Sequence, residues 1–141
     1  MRSVALVFAF LLVPLLLVGC SKPPSPPSVP LQVLKEIQQS ATAAVGEYTG
    51  VEVDDREDFV NIDVTIKSSE GSNISYYYDK AEKSTDIILK DAVSVLAKYG
   101  IQKDVAVFTY ADVGESLPVI LGDRFYFNER KKYTEFDKGK Y

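Results

Sequence analysis

The spacing of apolar residues changes between two periods along the chain, and this change predicts its first elements. From Leu31 to Val45 apolar positions recur every three or four residues, which is typical of an amphipathic helix, and Gly46 is expected to end it. Over residues 48–53 and 59–67 the period becomes two, with apolar side chains alternating with polar ones. Such alternation predicts two strands of a hairpin that has one buried face.

The second half of the chain repeats this order. A helical stripe without glycine or proline predicts a second helix at residues 79–99, although residues 74–78 also suit a strand because they include three tyrosines. Residues 105–110 are apolar on both sides, which favours a central strand. Residues 117–127 predict one strand or a broken pair, with a bulge or kink at Gly122-Asp123.

The predicted order, αββαββ, indicates an α+β fold. We expect a two-layer sandwich in which an antiparallel sheet of about four strands carries two helices on one face. This domain is expected to cover residues 31–127. Residues 128–141 are rich in charge and poor in apolar side chains, so they are expected to form a charged C-terminal tail.

The N-terminus has the pattern of an export signal. Arg2 is followed by an apolar run from Val4 to Val18 and then by Gly19. The run is shorter than the roughly 20 apolar residues that span a membrane easily, and its flanks are typical of a signal peptide. Residues 1–19 are therefore predicted to be a signal peptide. An uncleaved membrane anchor and an ordinary secretory leader are the alternatives.

One cysteine, Cys20, follows this run directly and is the only cysteine in the 141 residues. The segment Leu17-Val18-Gly19-Cys20 resembles the lipobox of bacterial lipoproteins. The resemblance implies cleavage before Cys20, a diacylglycerol on its sulfur and a further acyl chain, such as palmitate, on the new N-terminus. An ordinary secretory leader would leave Cys20 as an unpaired thiol in an oxidising compartment, which fits less well.

The resemblance also implies a location. The protein would be held to a membrane of the cell envelope by its lipid anchor, with its domain outside the cytoplasm. In a host with two membranes, Ser21 after the cysteine favours the outer membrane, because an aspartate there resembles an inner-membrane retention signal.

Residues 20–30 are expected to be a lipidated cysteine followed by a proline-rich tether, since they hold five of the seven prolines. Proline disfavours helices and sheet pairing, so the stretch should adopt polyproline II and reach roughly 30 Å. The PxxP spacing would also suit a docking peptide for an SH3-like domain.

The amino-acid composition of the chain limits the partners and reactions that can be expected of it. Removal of residues 1–19 deletes Arg2 and changes the formal charge from −4 to −5, which argues against a nucleic-acid partner. The chain has no histidine, and Cys20 is committed to lipid, so we predict no enzyme activity, no cofactor and no metal. Four carboxylates at residues 54–58 could attract a divalent cation, but the run lacks the glycine and the ligand spacing of a calcium loop. A solvated turn is the preferred interpretation.

Aromatic residues are the remaining candidates for function, because tyrosine is favoured at interfaces. We predict binding roles for Tyr76, Tyr78 and Tyr126 and core positions for Phe108, Phe125 and Phe127. The predicted function is a non-catalytic protein-interaction module that recruits an envelope protein through the open face or an edge of its sheet. A small-ligand-binding lipoprotein and a hydrolase without histidine are the alternatives.

Overall fold

A computed structural model of the chain describes residues 28–46, 49–67, 73–114 and 117–139. The predicted signal peptide, Cys20 and most of the tether lie outside the described residues. The elements are helices α1 (Leu31–Val45) and α2 (Ile74–Lys98) and strands β1 (Thr49–Asp55), β2 (Phe59–Lys67), β3 (Asp104–Asp112), β4 (Val119–Phe127), β5 (Lys132–Tyr133) and β6 (Asp137–Lys138).

Helix α1 has the bounds that its periodicity predicts. The carbonyl of Pro30 accepts the first backbone hydrogen bond, from the Val33 amide at 2.9 Å, and proline is well tolerated at a helix start. The buried residues of the helix follow the three-to-four spacing and are Val33, Ile37, Ala41 and Val45.

Helix α2 begins earlier than predicted, because its cap lies before the three tyrosines. The side chain of Asn73 accepts a hydrogen bond from the Tyr76 amide at 3.0 Å, as expected of an N-cap residue. At the other end, the Ile101 amide donates to Leu96 and the Gly100 amide donates to Ala97. With Gly100 at φ +68°, these bonds form a Schellman motif that ends the helix.

The sheet is mixed, so the predicted antiparallel sheet is wrong in one pairing. Its strand order is β1-β2-β3-β4-β5, and β6 also pairs with β4. Strands β1 and β2 are antiparallel and so are β3 and β4, but β2 and β3 are parallel. The 25-residue helix α2 connects β2 to β3, and a long helical crossover is what allows neighbouring strands to run in the same direction.

Both helices pack on the same side of the sheet, as the sequence predicts. Their buried side chains join those of β2 and β3 in one cluster, in which Ile37, Ile62, Leu89 and Val107 are fully or almost fully buried. The central position predicted for β3 is confirmed, since it pairs with β2 on one side and β4 on the other.

The segment after residue 127, which was expected to be a charged tail, continues the sheet. Tyr133 pairs with Tyr126 and Lys138 pairs with Gly122 along β4. Between the two short strands, Thr134 exchanges hydrogen bonds with Phe125 through its amide and its hydroxyl. Charge patterning missed this segment because backbone pairing, with few apolar side chains, holds it against β4.

A bulge lies in β4 close to the predicted position. Thr109 pairs with Gly122 and the next residue, Tyr110, pairs with Ile120, so Leu121 is the extra residue. The Thr109 hydroxyl donates to the Gly122 carbonyl at 2.9 Å. The bulge lets Leu121 turn into the helix side of the sheet, where it is fully buried.

A buried ion pair closes the end of the sheet where the chain enters. The Lys103 ammonium lies 2.5 Å from the Asp55 carboxylate, and the Lys103 side chain is almost fully buried. The other oxygen of Asp55 accepts a hydrogen bond from the Val29 amide at 2.8 Å. Asp55 therefore joins β1 to the residues that precede α1 and β3.

Candidate functional site

The side of the sheet that points away from the helices carries the candidate site. Along β3, Val105 and Val107 pack in the core, while Phe108 and Tyr110 point the opposite way. Within the described residues both helices pack on the first side, so they leave the second side uncovered. We call this second side the open face.

Four carboxylates and one aromatic ring lie at the same level of the open face. In order across five strands, the paired residues are Glu52, Asp63, Phe108, Asp123 and Asp137. Paired residues point to the same face of a sheet, and neighbouring strands lie about 4.8 Å apart. This set of five residues, which we call the carboxylate row, therefore places one acidic pair on each side of the Phe108 ring.

An aromatic patch extends from the centre of the row toward the end of β4. The rings of Phe108 and Phe125 meet edge to face with centroids 5.6 Å apart, and those of Phe125 and Phe127 are stacked at 6.1 Å. Both arrangements are favourable for aromatic pairs. Phe127 keeps 37% of its surface exposed, so the patch presents apolar area to solvent.

A groove of about 520 Å³ runs along β2 beside the patch. Its floor includes Asn61 and Asp63, and the rings of Phe59, Phe108 and Tyr110 line it. The Asn61 amide donates to the Asp63 carboxylate at 2.9 Å, while the Tyr110 hydroxyl lies 3.4 Å from its other oxygen. These contacts hold the Asp63 carboxylate in place at the bottom of the groove.

Burial and neighbouring carboxylates raise the pKa of two groups on the open face. Partial burial raises the pKa of Asp123, and the nearby charge of Asp137 raises it further. Burial also raises the pKa of the Tyr110 hydroxyl, and Asp63 and Asp123 add to this shift because they repel the phenolate. Both shifts show that additional negative charge is unfavourable here.

The carboxylate row also opposes folding. Glu52 lies directly opposite Asp63, and Asp123 lies directly opposite Asp137. Like charges that face each other across a sheet are destabilising, by an amount on the order of 0.2–1 kcal/mol for each pair. The row therefore carries a cost in stability that neutral residues at the same positions would avoid.

The tyrosines that the sequence singled out are not brought together. Tyr76 is 49% exposed in the first turn of α2. Tyr78 is half-buried, with the Lys138 ammonium 5.6 Å from its ring centroid. Tyr126 is buried in the core, where its ring lies 4.8 Å from that of Tyr133. None of the three lies on the open face.

The phenylalanines expected in the core lie on the open face instead. Because Tyr126 pairs with the core residue Val105, its neighbours Phe125 and Phe127 point the other way. Three consecutive aromatic residues give no sign of which face is buried. Arg124 gives a misleading sign, because a charged residue normally indicates the exposed face, whereas here it shares the buried face with Tyr126 and forms an ion pair with Asp86 of α2 at 2.9 Å.

The predicted solvated turn at residues 54–58 is correct only in part, because Asp54 and Asp55 end β1 and residues 56–58 alone form the turn. Asp54 pairs with Arg56 at 3.0 Å in solvent, whereas Asp55 points to the helix side and binds Lys103. Among the described residues, no group of three or more histidine, cysteine, aspartate or glutamate side chains is placed to hold a metal ion.

A smaller cavity lies between the end of α2 and the start of β3. It has a volume of about 200 Å³, and Leu96, Ile101 and Tyr126 are among the residues that line it. Pockets for small organic ligands are usually about 300–1,000 Å³. This cavity is therefore below the usual size, whereas the groove of about 520 Å³ beside β2 falls within that range.

In the part of the chain that the structure describes, no helix is both long enough and apolar enough to cross a membrane. Comparison of the chain with protein-family models, with curated protein sequences and with solved structures finds no match.

Proposed function

We propose that this protein is a lipid-anchored lipoprotein of the bacterial cell envelope that binds a protein partner through the open face of its sheet. The observation that carries the proposal is the aromatic patch formed by Phe108, Phe125 and Phe127, which neither helix covers. Exposed apolar patches framed by polar residues are typical of protein interaction sites. Aromatic side chains are also enriched at the centres of such interfaces.

The dimensions of the open face suit a protein partner. The carboxylate row crosses five strands and spans roughly 19 Å, and β3 contributes open-face residues from Asp104 to Tyr110, roughly 20 Å along the strand. A surface of this size approaches the few hundred Å² per partner of small protein interfaces. It also exceeds the contact area of most small ligands, which prefer enclosed pockets.

The proposed role is non-catalytic. The chain has no histidine and a single cysteine, Cys20, for which lipid attachment is the proposed use. On the open face, the Asp63 carboxylate already accepts hydrogen bonds from Asn61 and Tyr110.

The binding surface can be tested by photo-crosslinking of the full-length chain in membranes of its own host. A photo-crosslinking amino acid would replace Phe127 on the open face or, as a matched control, Ile87 on the outer surface of α2, which is 47% exposed. We expect a discrete protein adduct from position 127 and none from position 87. Equal adducts from both positions, or none from either, would contradict the proposal.

The anchor requires its own test. Mass spectrometry of the N-terminal peptide should show an acylated Cys20 as the first residue, and metabolic labelling with palmitate should be lost in Cys20→Ser. A different mature N-terminus, or an unchanged label in that variant, would reject the lipid anchor while leaving the crosslinking result intact.

A further inference from the structure

We propose that the open face binds a basic segment of its partner protein and seats an arginine side chain over Phe108, between Asp63 and Asp123. This inference rests on the proposed function and specifies the chemistry of the partner. Charge complementarity carries it, because carboxylates flank Phe108 on both sides and outnumber the cations of the open face.

The register of the sheet gives the geometry. Phe108 pairs with Asp63 on one side and with Asp123 on the other, so its backbone lies about 4.8 Å from the strand of each carboxylate. The two carboxylates therefore belong to strands roughly 10 Å apart. A guanidinium group placed over the Phe108 ring can approach the carboxylates on both sides.

The central ring favours arginine over lysine. A cation placed over an aromatic face is attracted by the ring quadrupole, and the planar guanidinium also stacks and makes forked hydrogen bonds to carboxylates. Phe125 meets Phe108 edge to face and so supports its ring from the side of β4. Apolar residues next to the arginine would cover Phe125 and Phe127.

The net charge of the open face also favours a basic partner. Carboxylates on this side of β1 to β6 include those of Glu52, Asp54, Asp63, Asp104, Asp112, Asp123 and Asp137. The cations on this side are fewer: Lys67 at the end of β2, Arg56 at the hairpin, Lys132 opposite Phe127, and Arg130, whose guanidinium lies 6.0 Å from the Phe127 ring centroid. Arg56 is already paired with Asp54. An acidic partner would be repelled, whereas a basic one would neutralise both acidic pairs of the carboxylate row and remove their mutual repulsion.

Binding can be measured with a defined probe. The full chain, purified in a non-ionic detergent, would be titrated into a fluorescently labelled hexapeptide of alternating arginine and leucine, with fluorescence anisotropy as the readout. Peptides that carry lysine or glutamine in place of arginine serve as comparisons. We expect binding in the order arginine, lysine, glutamine, and weaker binding of the arginine peptide as salt is added.

Variants locate the site. The double variant Glu52→Gln/Asp123→Asn removes one charge from each acidic pair and should weaken arginine-peptide binding roughly tenfold or more. The matched control Asp79→Asn/Glu82→Gln removes two exposed charges from α2 and should change binding less than about twofold. Circular dichroism of each variant would confirm that the fold is retained.

The aromatic contribution has its own pair of variants. Phe108→Leu keeps an apolar side chain but removes the ring, and it should reduce the preference for arginine over lysine. Tyr76→Leu removes an exposed ring from α2 and should leave that preference unchanged. Equal losses in the open-face and α2 variants, or equal binding of the arginine and glutamine peptides, would overturn the inference.

The crosslinked partner separates this inference from the function on which it rests. Mass spectrometry of the adduct from position 127 identifies the partner segment that touches the open face. A segment containing arginine supports both proposals. A segment without basic residues overturns the inference and leaves the interaction function standing, whereas absence of any position-specific adduct contradicts the interaction function.

Discussion

The two sides of the sheet are built from the same strands, yet they carry different kinds of side chain. On β2, Ile62 and Val64 are fully buried beneath the helices, while Asp63 between them lies in an acidic groove. On β3, Val107 is fully buried and its neighbour Phe108 stands between two carboxylates. One side therefore stabilises the fold, and the other holds charge and exposed rings at the expense of stability.

This contrast separates the residues that stabilise the fold from the neighbouring residues that are proposed to bind a partner. Burial of apolar surface is the main stabilising contribution to a domain of this size, and the helix side supplies it. Repulsion in the carboxylate row works against folding, so packing does not account for those residues. The four changes that follow test this division, beginning with the largest expected effect.

The strongest test removes apolar volume from the helix side. Ile62→Ala should lower the free energy of unfolding by about 4 kcal/mol, because it leaves a cavity at a fully buried position. Thr65→Ala, on the open side of the same strand, should cost less than about 1 kcal/mol. Urea denaturation of the full chain measures both, and similar losses in the two variants would contradict the division between the faces.

A second test compares a buried ion pair with an exposed one, formed by the adjacent residues Asp55 and Asp54. Lys103→Met leaves the Asp55 carboxylate without its buried partner and should cost about 3 kcal/mol, the lower end for a broken buried pair because Asp55 keeps some contact with solvent. Arg56→Met breaks the exposed pair with Asp54 and should cost no more than about 1 kcal/mol. The same denaturation experiment gives both values, and an equal cost would show that burial does not distinguish the two pairs.

A third test concerns the place where β4 changes register. A Cβ atom at Gly122 would overlap the Asp137 carbonyl oxygen and lie 2.6 Å from the Phe136 ring. Gly122→Ala should therefore displace β6 and cost about 1–3 kcal/mol. In Gly50→Ala the new Cβ meets its nearest neighbour, the Thr65 Cβ, at 3.9 Å, so little change is expected. Hydrogen exchange should be faster at residues 137–139 in Gly122→Ala alone, and unchanged exchange there would contradict the pairing of β6.

The smallest effect is expected from the open face itself. Because the pKa of Asp123 is raised in the folded protein, folding favours its protonated form. That contribution is fully present below the ordinary aspartate value of 3.8 and is lost as the pH rises through the raised pKa. Asp123→Asn should thus be more stable than the unaltered chain at neutral pH, by up to about 1 kcal/mol, and this advantage should disappear in acid.

The expected stabilisation by Asp123→Asn at neutral pH can be tested by measuring the free energy of unfolding of both chains between pH 3 and pH 8. Glu82→Gln, an exposed neutralisation on α2, serves as the control for the loss of one negative charge. Destabilisation of Asp123→Asn at neutral pH would show that the carboxylate supports the fold, contrary to the proposed cost of the row.

The sequence predicts the elements of this fold better than their arrangement. Alternation in β2 correctly identifies the buried face, since every second residue from Val60 to Ile66 is fully buried. Alternation is the same in parallel and antiparallel strands, so it did not reveal that β2 and β3 run in the same direction. The length of α2 contained that information, because a helical crossover is typical of parallel neighbours.

The candidate site could be predicted in kind but not in position. The open face of the sheet was expected to bind a partner, and the structure places aromatic residues there. Which aromatic residues they are depends on the pairing of Tyr126 with Val105, a register that local patterning cannot supply. The carboxylate row was missed for the same reason, since its members are far apart in the chain and meet only through strand pairing.

The contact between Val29 and Asp55 has a mechanical consequence. Tension applied to the chain before Val29 would reach β1 through the hydrogen bond from the Val29 amide to Asp55. The ion pair between Asp55 and Lys103 would then pass it to the residues that precede β3. The first turn of α1 lies beyond this attachment and would bear little of the load. A domain held at the end of a tether would therefore resist pulling through β1 and the chain leading into β3, and α1 would remain wound.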